Sequence, residues 1–160
     1  MKQKQKKLKV KGITDTDFVN YKEPCMFIAF PHCNFKCGRA NCQNHDLVNS
    51  PDIEVDIEEV VQMFVKNPLT KAIVCGGMDP IDTFDMLYAF IDAIRAVDES
   101  TIVIYTGYNK NEILPEIKAL SKFSNILIKY GRYLPNNTPF FDHNLGIELA
   151  SSNQYSEFIS

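Results

Sequence analysis

The chain lacks any apolar run approaching the ~20 residues that a membrane span requires, so no transmembrane segment is expected. Its N-terminus is charged where a secretory signal would be apolar, and a cytoplasmic location is the expectation. No internal repeat, low-complexity stretch or linker interrupts the sequence, and a single domain over residues 1–160 is expected. Cysteine is sparse and odd in number. The five residues Cys25, Cys33, Cys37, Cys42 and Cys75 do not suit a disulfide framework, which wants an even count and a secretory route. Acid is missing from residues 1–11, which hold six lysines. Setting those six aside leaves 11 basic residues against 20 acids, so the net charge of −3 conceals a body near −9. Such a lead could contact nucleic acid or an acidic partner, but a solvated tail running into a first strand is the simpler expectation. Nothing else in the sequence resembles a nucleic-acid surface.

What is present is ordinary in bulk, with 45% apolar and 23% charged residues, and informative in pattern. Residues 26–30 (MFIAF) form an apolar run ending at Pro31 and read as a buried strand. Over residues 56–67, Ile57, Val60, Val61, Phe64 and Val65 recur at helical spacing, with Asp56 and Glu59 as a capping pair and Pro68 as the stop. Residues 72–75 are a second strand closed by Gly76-Gly77, followed by a helix on Phe84, Leu87, Phe90, Ile91 and Ile94. Residues 101–105 (TIVIY) are a third strand. A helix over 111–123 should start late because of Pro115. Residues 125–129 and 146–150 complete the strands. The alternation predicts an α/β fold with a mainly parallel sheet of five or six strands covered by helices. In such sheets chemistry sits beyond the carboxyl ends of the strands. The cysteine cluster, Gly76-Gly77-Met78-Asp79-Pro80, Thr106-Gly107 and Gly131-Arg132 each follow a strand directly, so four segments should converge on one edge.

Cys33, Cys37 and Cys42 fall within ten residues. Thiolate is the preferred ligand of iron–sulfur clusters, and three of them hold three irons of a cubane while leaving the fourth iron open. Zinc is the competitor. Structural zinc sites favour Cys-x2-Cys pairs and four ligands, whereas the spacings here are three and four residues, with His32 or His45 available as a fourth donor. Cys25 and Cys75 sit at strand positions and read as small buried hydrophobes. His143 reads as a loop residue without catalytic work.

The cysteine loop after the first strand, the Gly-Gly segment after the next and Tyr105-Thr106-Gly107-Tyr108 together resemble radical-SAM proteins of the anaerobic ribonucleotide reductase activating type. Gly131-Arg132-Tyr133 and Ser151-Ser152-Asn153-Gln154 are similar to that family's closing segments. The resemblance runs from about Met26 to Gln154. It also departs from the pattern. Two extra residues precede Cys42, although Cys42-Gln43-Asn44 keeps the family's Cys-x-Asn ending and reads as an insertion. Asp79 stands where the family has glutamate, and Lys129-Tyr130 where an aspartate often precedes Gly-Arg.

The resemblance implies an incomplete (β/α) barrel with a [4Fe–4S] cluster on Cys33, Cys37 and Cys42 and S-adenosylmethionine on the open iron. It implies reductive cleavage to a 5′-deoxyadenosyl radical, which installs a glycyl radical on the large catalytic subunit of an anaerobic ribonucleotide reductase. An electron donor such as flavodoxin would supply the electron. Asp79 would accept from the methionine ammonium, Gly76 and Gly77 would let the backbone approach, and Thr106, Lys129 or Arg132 would meet the carboxylate or ribose. Ser151–Gln154 reads equally as a plain surface turn, and Asp79 as a turn residue before Pro80. Rival functions are a radical-SAM enzyme acting on a small molecule, a zinc- or cluster-binding module without activity, and a family member that has lost SAM cleavage.

Overall fold

Continuous apolar runs dictate the inner strands, and amphipathic stretches dictate the helices laid over them. The computed structural model describes residues 6–32 and 49–160. In chain order these form β1 (Lys7–Val10), β2 (Gly12–Asp17), β3 (Cys25–Phe30), β4 (Ile53–Asp56), α1 (Ile57–Lys66) and β5 (Ala72–Gly77). There follow α2 (Phe84–Arg95), β6 (Thr101–Tyr105), α3 (Leu114–Leu120), β7 (Ile126–Tyr130), β8 (Phe140–Asp142), β9 (Ile147–Leu149) and β10 (Tyr155–Phe158). Tight 3-10 turns at Pro80–Thr83 and Lys110–Glu112 precede α2 and α3.

Six strands make one sheet in the order β10-β7-β6-β5-β3-β2. Its centre, β3-β5-β6-β7, is parallel, as the β-α alternation predicts. Both edges run antiparallel, β2 on β3 and β10 on β7, so the sheet is mixed. Two small antiparallel ribbons, β1-β4 and β8-β9, stand outside it.

Alternate strand residues go to opposite faces, and the two faces are covered differently. Met26, Ile28, Phe30, Ile73, Ile102, Ile104, Ile126 and Ile128 pack under the helices, against Val60, Phe64, Leu87, Phe90, Ile94 and Leu120. On the other face Cys25, Val74, Val103 and Leu127 meet Tyr21, Leu145 and Leu149, from the β2–β3 connection and the region of the β8-β9 ribbon. That face carries no helix among the described residues.

The helix expected over 111–123 is shorter than the pattern suggests. Asn109 and Glu112 form a reciprocal capping box on the 3-10 turn, and α3 begins at Leu114 with Pro115 in its first turn. Asp56 stands at the N-cap of α1 without a side-chain cap bond, because its carboxylate is paired with Lys7. The lysine-rich lead does run into a strand, β1, while residues 1–5 lie outside the described part. No helix of the described residues is long and apolar enough to cross a membrane.

Candidate functional site

Because β3, β5, β6 and β7 are parallel, their carboxyl ends share one edge, and the Gly-Gly, Thr106-Gly107 and Gly131-Arg132 segments meet there. The predicted cluster ligands Cys33, Cys37 and Cys42 lie outside the described residues, as does His45. The start of their loop is nevertheless fixed. Met78 N–H donates to Phe30 O at 3.0 Å and Asp79 N–H to His32 O at 2.7 Å, so the Gly-Gly segment continues the β3–β5 ladder to the last residue before Cys33.

The remaining two cysteines are unsuited to ligation. Cys25 and Cys75 are free thiols with no exposed surface. Burial, with Asp17 beside it, pushes the Cys25 thiol up to about 12, and burial alone pushes Cys75 up as well. A metal ligand must be a thiolate, so these two read as core residues. Among the described residues no three His, Cys, Asp or Glu side chains are grouped to hold a metal ion.

Gly76 and Gly77 are small for stated reasons. A Cβ on Gly76 would come 3.0 Å from the Phe27 ring, with Tyr105 close behind. Gly77 has φ +78, and a Cβ there would lie 2.6 Å from Ala29 Cα, so backbone touches backbone. Asp79 then turns inward and is 7% exposed. Its Oδ1 accepts from Ile81 N–H at 3.0 Å and its Oδ2 from Gly107 N–H at 2.9 Å, while the Thr106 hydroxyl sits 3.0 Å from both oxygens. Asp79 is thus the turn residue before Pro80 and also a bracket between the ends of β5 and β6. A carboxylate offers about four acceptor sites, and three protein donors leave room for one more.

Burial raises the Asp79 carboxyl to about 6, and Asp82 adds to this, against the hydrogen bonds that favour the ion. Since this exceeds the ~3.9 of an unfolded aspartate, the folded chain holds the proton more tightly. The stability contributed is present at about pH 4 and below, and is lost as pH rises through about 6. Two pH units correspond to roughly 2–3 kcal/mol. Urea unfolding of the apo chain at several pH values from about 4 to about 7 should therefore show a steeper decline for wild type than for Asp79→Asn. Parallel curves would contradict the assignment.

Thr106 and Lys129 are both buried, and Thr106 N–H donates to Lys129 O at 2.9 Å. Lys129 Nζ donates to Gly131 O at 3.1 Å and lies 5.9 Å from the centre of the Tyr105 ring. One guanidinium nitrogen of Arg132, Nη2, donates to both carboxylate oxygens of Glu112, at 2.8 and 2.7 Å. This acid is not conspicuous in the sequence as a site residue, although its spacing from Asn109 is a capping-box signal.

Ser151–Gln154 is more than a surface turn. Ser151 and Gln154 are buried, Gln154 Nε2 donates to Gly131 O at 3.2 Å and Asn153 Nδ2 to Arg132 O at 2.7 Å. Gly131 has φ +103, with the Asn153 carbonyl only 3.1 Å from where its Cβ would stand. The structure therefore brings Gly76, Gly77, Asp79, Thr106, Lys129 and Arg132 to one edge, the last four with side chains already engaged by the protein. His143 stays apart, edge-on to Phe141 in the β8-β9 ribbon.

No curated protein matches the chain. A family model for a 4Fe-4S single cluster domain matches residues 25–154, from the start of β3 through the cysteine loop to the turn that clamps Gly131-Arg132. With so much of its length matched, the chain belongs to the family of 4Fe-4S single cluster domains and is an iron–sulfur protein.

Proposed function

We propose that this chain is a radical-SAM activating enzyme whose cluster is held by Cys33, Cys37 and Cys42. The observation that carries the reading is the edge itself. Four parallel strands end on one line, where they lead into the three-cysteine segment, a Gly-Gly-x-Asp turn, a Thr-Gly turn and a Gly-Arg turn, in the chain order of the resembled family's motifs. The sheet would then be the incomplete barrel that the resemblance implies. Bound there, cluster and S-adenosylmethionine together would supply one-electron cleavage of a carbon–sulfur bond to methionine and a 5′-deoxyadenosyl radical.

The chain's own residues position and shield. Gly76 and Gly77 let the ends of β3 and β5 approach closely, next to where the cysteine segment begins. Asp79 holds the β5 end against Thr106 and Gly107 and has one acceptor site left for an ammonium group. Arg132, held by Glu112, and Lys129, held by Gly131 O, set positive charge at the far end of the edge, where a carboxylate or ribose would be met. The acceptor of the radical would be a glycine in the large subunit of an anaerobic ribonucleotide reductase, and a flavodoxin-type protein would be the reductant. The reading is cytoplasmic.

The test is anaerobic reconstitution with iron and sulfide, followed by dithionite and S-adenosylmethionine. Formation of 5′-deoxyadenosine is expected. Stoichiometric zinc without iron after anaerobic preparation would sink the enzyme reading.

A further inference from the structure

The lysines that lead the chain are not equivalent. Lys7 pairs with Asp56 at the rim of the β1-β4 ribbon, both side chains about half exposed. Lys11 has a side chain only 8% exposed, and its contacts point to a specific place. Its backbone N–H donates to Ala29 O at 2.7 Å, one residue before the end of β3. Its Nζ donates to Ser50 O and lies 2.8 Å from Asp52 Oδ1. Ala29 lies in the strand that leads into the segment 33–48, and Ser50 in the stretch that leaves it. One residue thus links the strand before the cysteine-bearing segment to the residues after it. The neighbouring register, Val10 on Ile53 and Leu8 on Val55, continues the same closure, with Leu8 and Val10 buried in the core.

We propose that Lys11 is a positioning residue for the cluster, fixing the two ends of the cysteine segment against each other so that Cys33, Cys37 and Cys42 are presented together. This rests on the reading that these cysteines hold the cluster, and it is independent of SAM cleavage. The physical argument is loop closure. Bringing together the ends of a loop of about 20 residues costs entropy, and a cluster on three ligands from one loop is released whenever an opening frees a ligand. A nearly buried ammonium bridging a carbonyl and a carboxylate lowers the population of such openings. Its removal need not unfold the domain, because Asp52 is 45% exposed and regains water.

The experiment uses the full reconstituted chain without S-adenosylmethionine and follows the decay of cluster absorbance on exposure to chelator or air. Lys11→Met keeps the apolar stem and removes the charge. It should bleach roughly fivefold faster than wild type, with the apo melting temperature no lower than that of the control Lys7→Met. Lys11→Arg should restore most of the lifetime, and Asp52→Asn should shorten it less than Lys11→Met does. Lys7→Met should decay at the wild-type rate. Wild-type decay in both Lys11→Met and Asp52→Asn overturns the proposal. So does acceleration by Lys7→Met equal to that of Lys11→Met, which would assign the effect to strand pairing in general. If the cysteine reading is wrong, the wild-type chain takes up no iron and both statements fall together. If SAM cleavage alone is wrong, the difference in lifetimes remains.

Discussion

Replacing Cys33, Cys37 or Cys42 by alanine is expected to remove the cluster, whereas Cys25→Ala and Cys75→Ala should leave iron loading near wild type. The contrast follows from where the described cysteines sit. Cys25 opens β3 at its amino end, five residue steps from Phe30, or roughly 17 Å at strand rise. Cys75 lies within β5, wholly enclosed. Both thiols are held protonated by burial, and neither reaches the edge from which the cysteine loop departs. Outer-shell changes already cost metal sites roughly 10–100-fold in affinity, and removing a direct ligand should cost more. Iron and sulfide per chain after anaerobic reconstitution decide the matter, with 5′-deoxyadenosine formation as the second readout. Full activity in Cys42→Ala would show that the longer second spacing marks a displaced ligand and not an insertion. Iron lost from Cys75→Ala with the fold intact would require a different ligand set.

Gly77→Ala should be strongly destabilising for the addition of a single methyl group. The residue has φ +78, where an L side chain is strained by about 1–2 kcal/mol, and the new Cβ would sit 2.6 Å from Ala29 Cα and 2.8 Å from Ala29 Cβ. Relief would require β3 and β5 to separate, yet Phe30 pairs with Gly77 and Ala29 with Gly76 in the parallel ladder. Strain and overpacking together suggest a loss of roughly 3–5 kcal/mol, a large share of a domain's stability. For a chain of this size that is a fall of about 10–15 °C in Tm, read by thermal melting of the apo protein under anaerobic conditions. Gly12→Ala is the control, since a Cβ there would meet nothing within 4 Å and the backbone is outside the left-handed region. A Gly77→Ala chain melting within about 2 °C of wild type would contradict the close approach.

The inner strands were legible because burial on both faces demands continuous apolar residues. TIVIY forms β6 over the whole expected span, and MFIAF and NILIK lie within one residue of β3 and β7. The edge strands were not legible, because half of each is solvated. β2 reads GITDTD, β4 IEVD and β10 YSEF, none of which shows a dense apolar run. Pairing partners, not composition, make these strands. The site divides in the same way. Its residue types and their positions after strands were visible, since glycine, aspartate and arginine are conspicuous at such places. Their couplings were not. Asp79 and Thr106 are 27 residues apart, and Arg132 and Glu112 are 20 apart, distances over which sequence carries no local signal. The shortened α3 follows from competition, because the Asn109–Glu112 box closes its own turn before Pro115 can begin the next.

The strand order has a further consequence. From β3 through β5 and β6 to β7 the chain steps always in one direction across the sheet, and the order never reverses. A doubly wound sheet gains its binding crevice at the point of reversal, where neighbouring connections part to opposite faces. Here that topological switch point is absent from the parallel run, and the described helices lie on one face. The parallel run therefore lacks the crevice that a reversal of strand order would open. On the proposed reading, a ligand that met both the cluster held after β3 and Gly131-Arg132 after β7 would bridge three interstrand spacings, or about 14 Å. On that reading the ligand would be elongated, with different chemistry at its two ends.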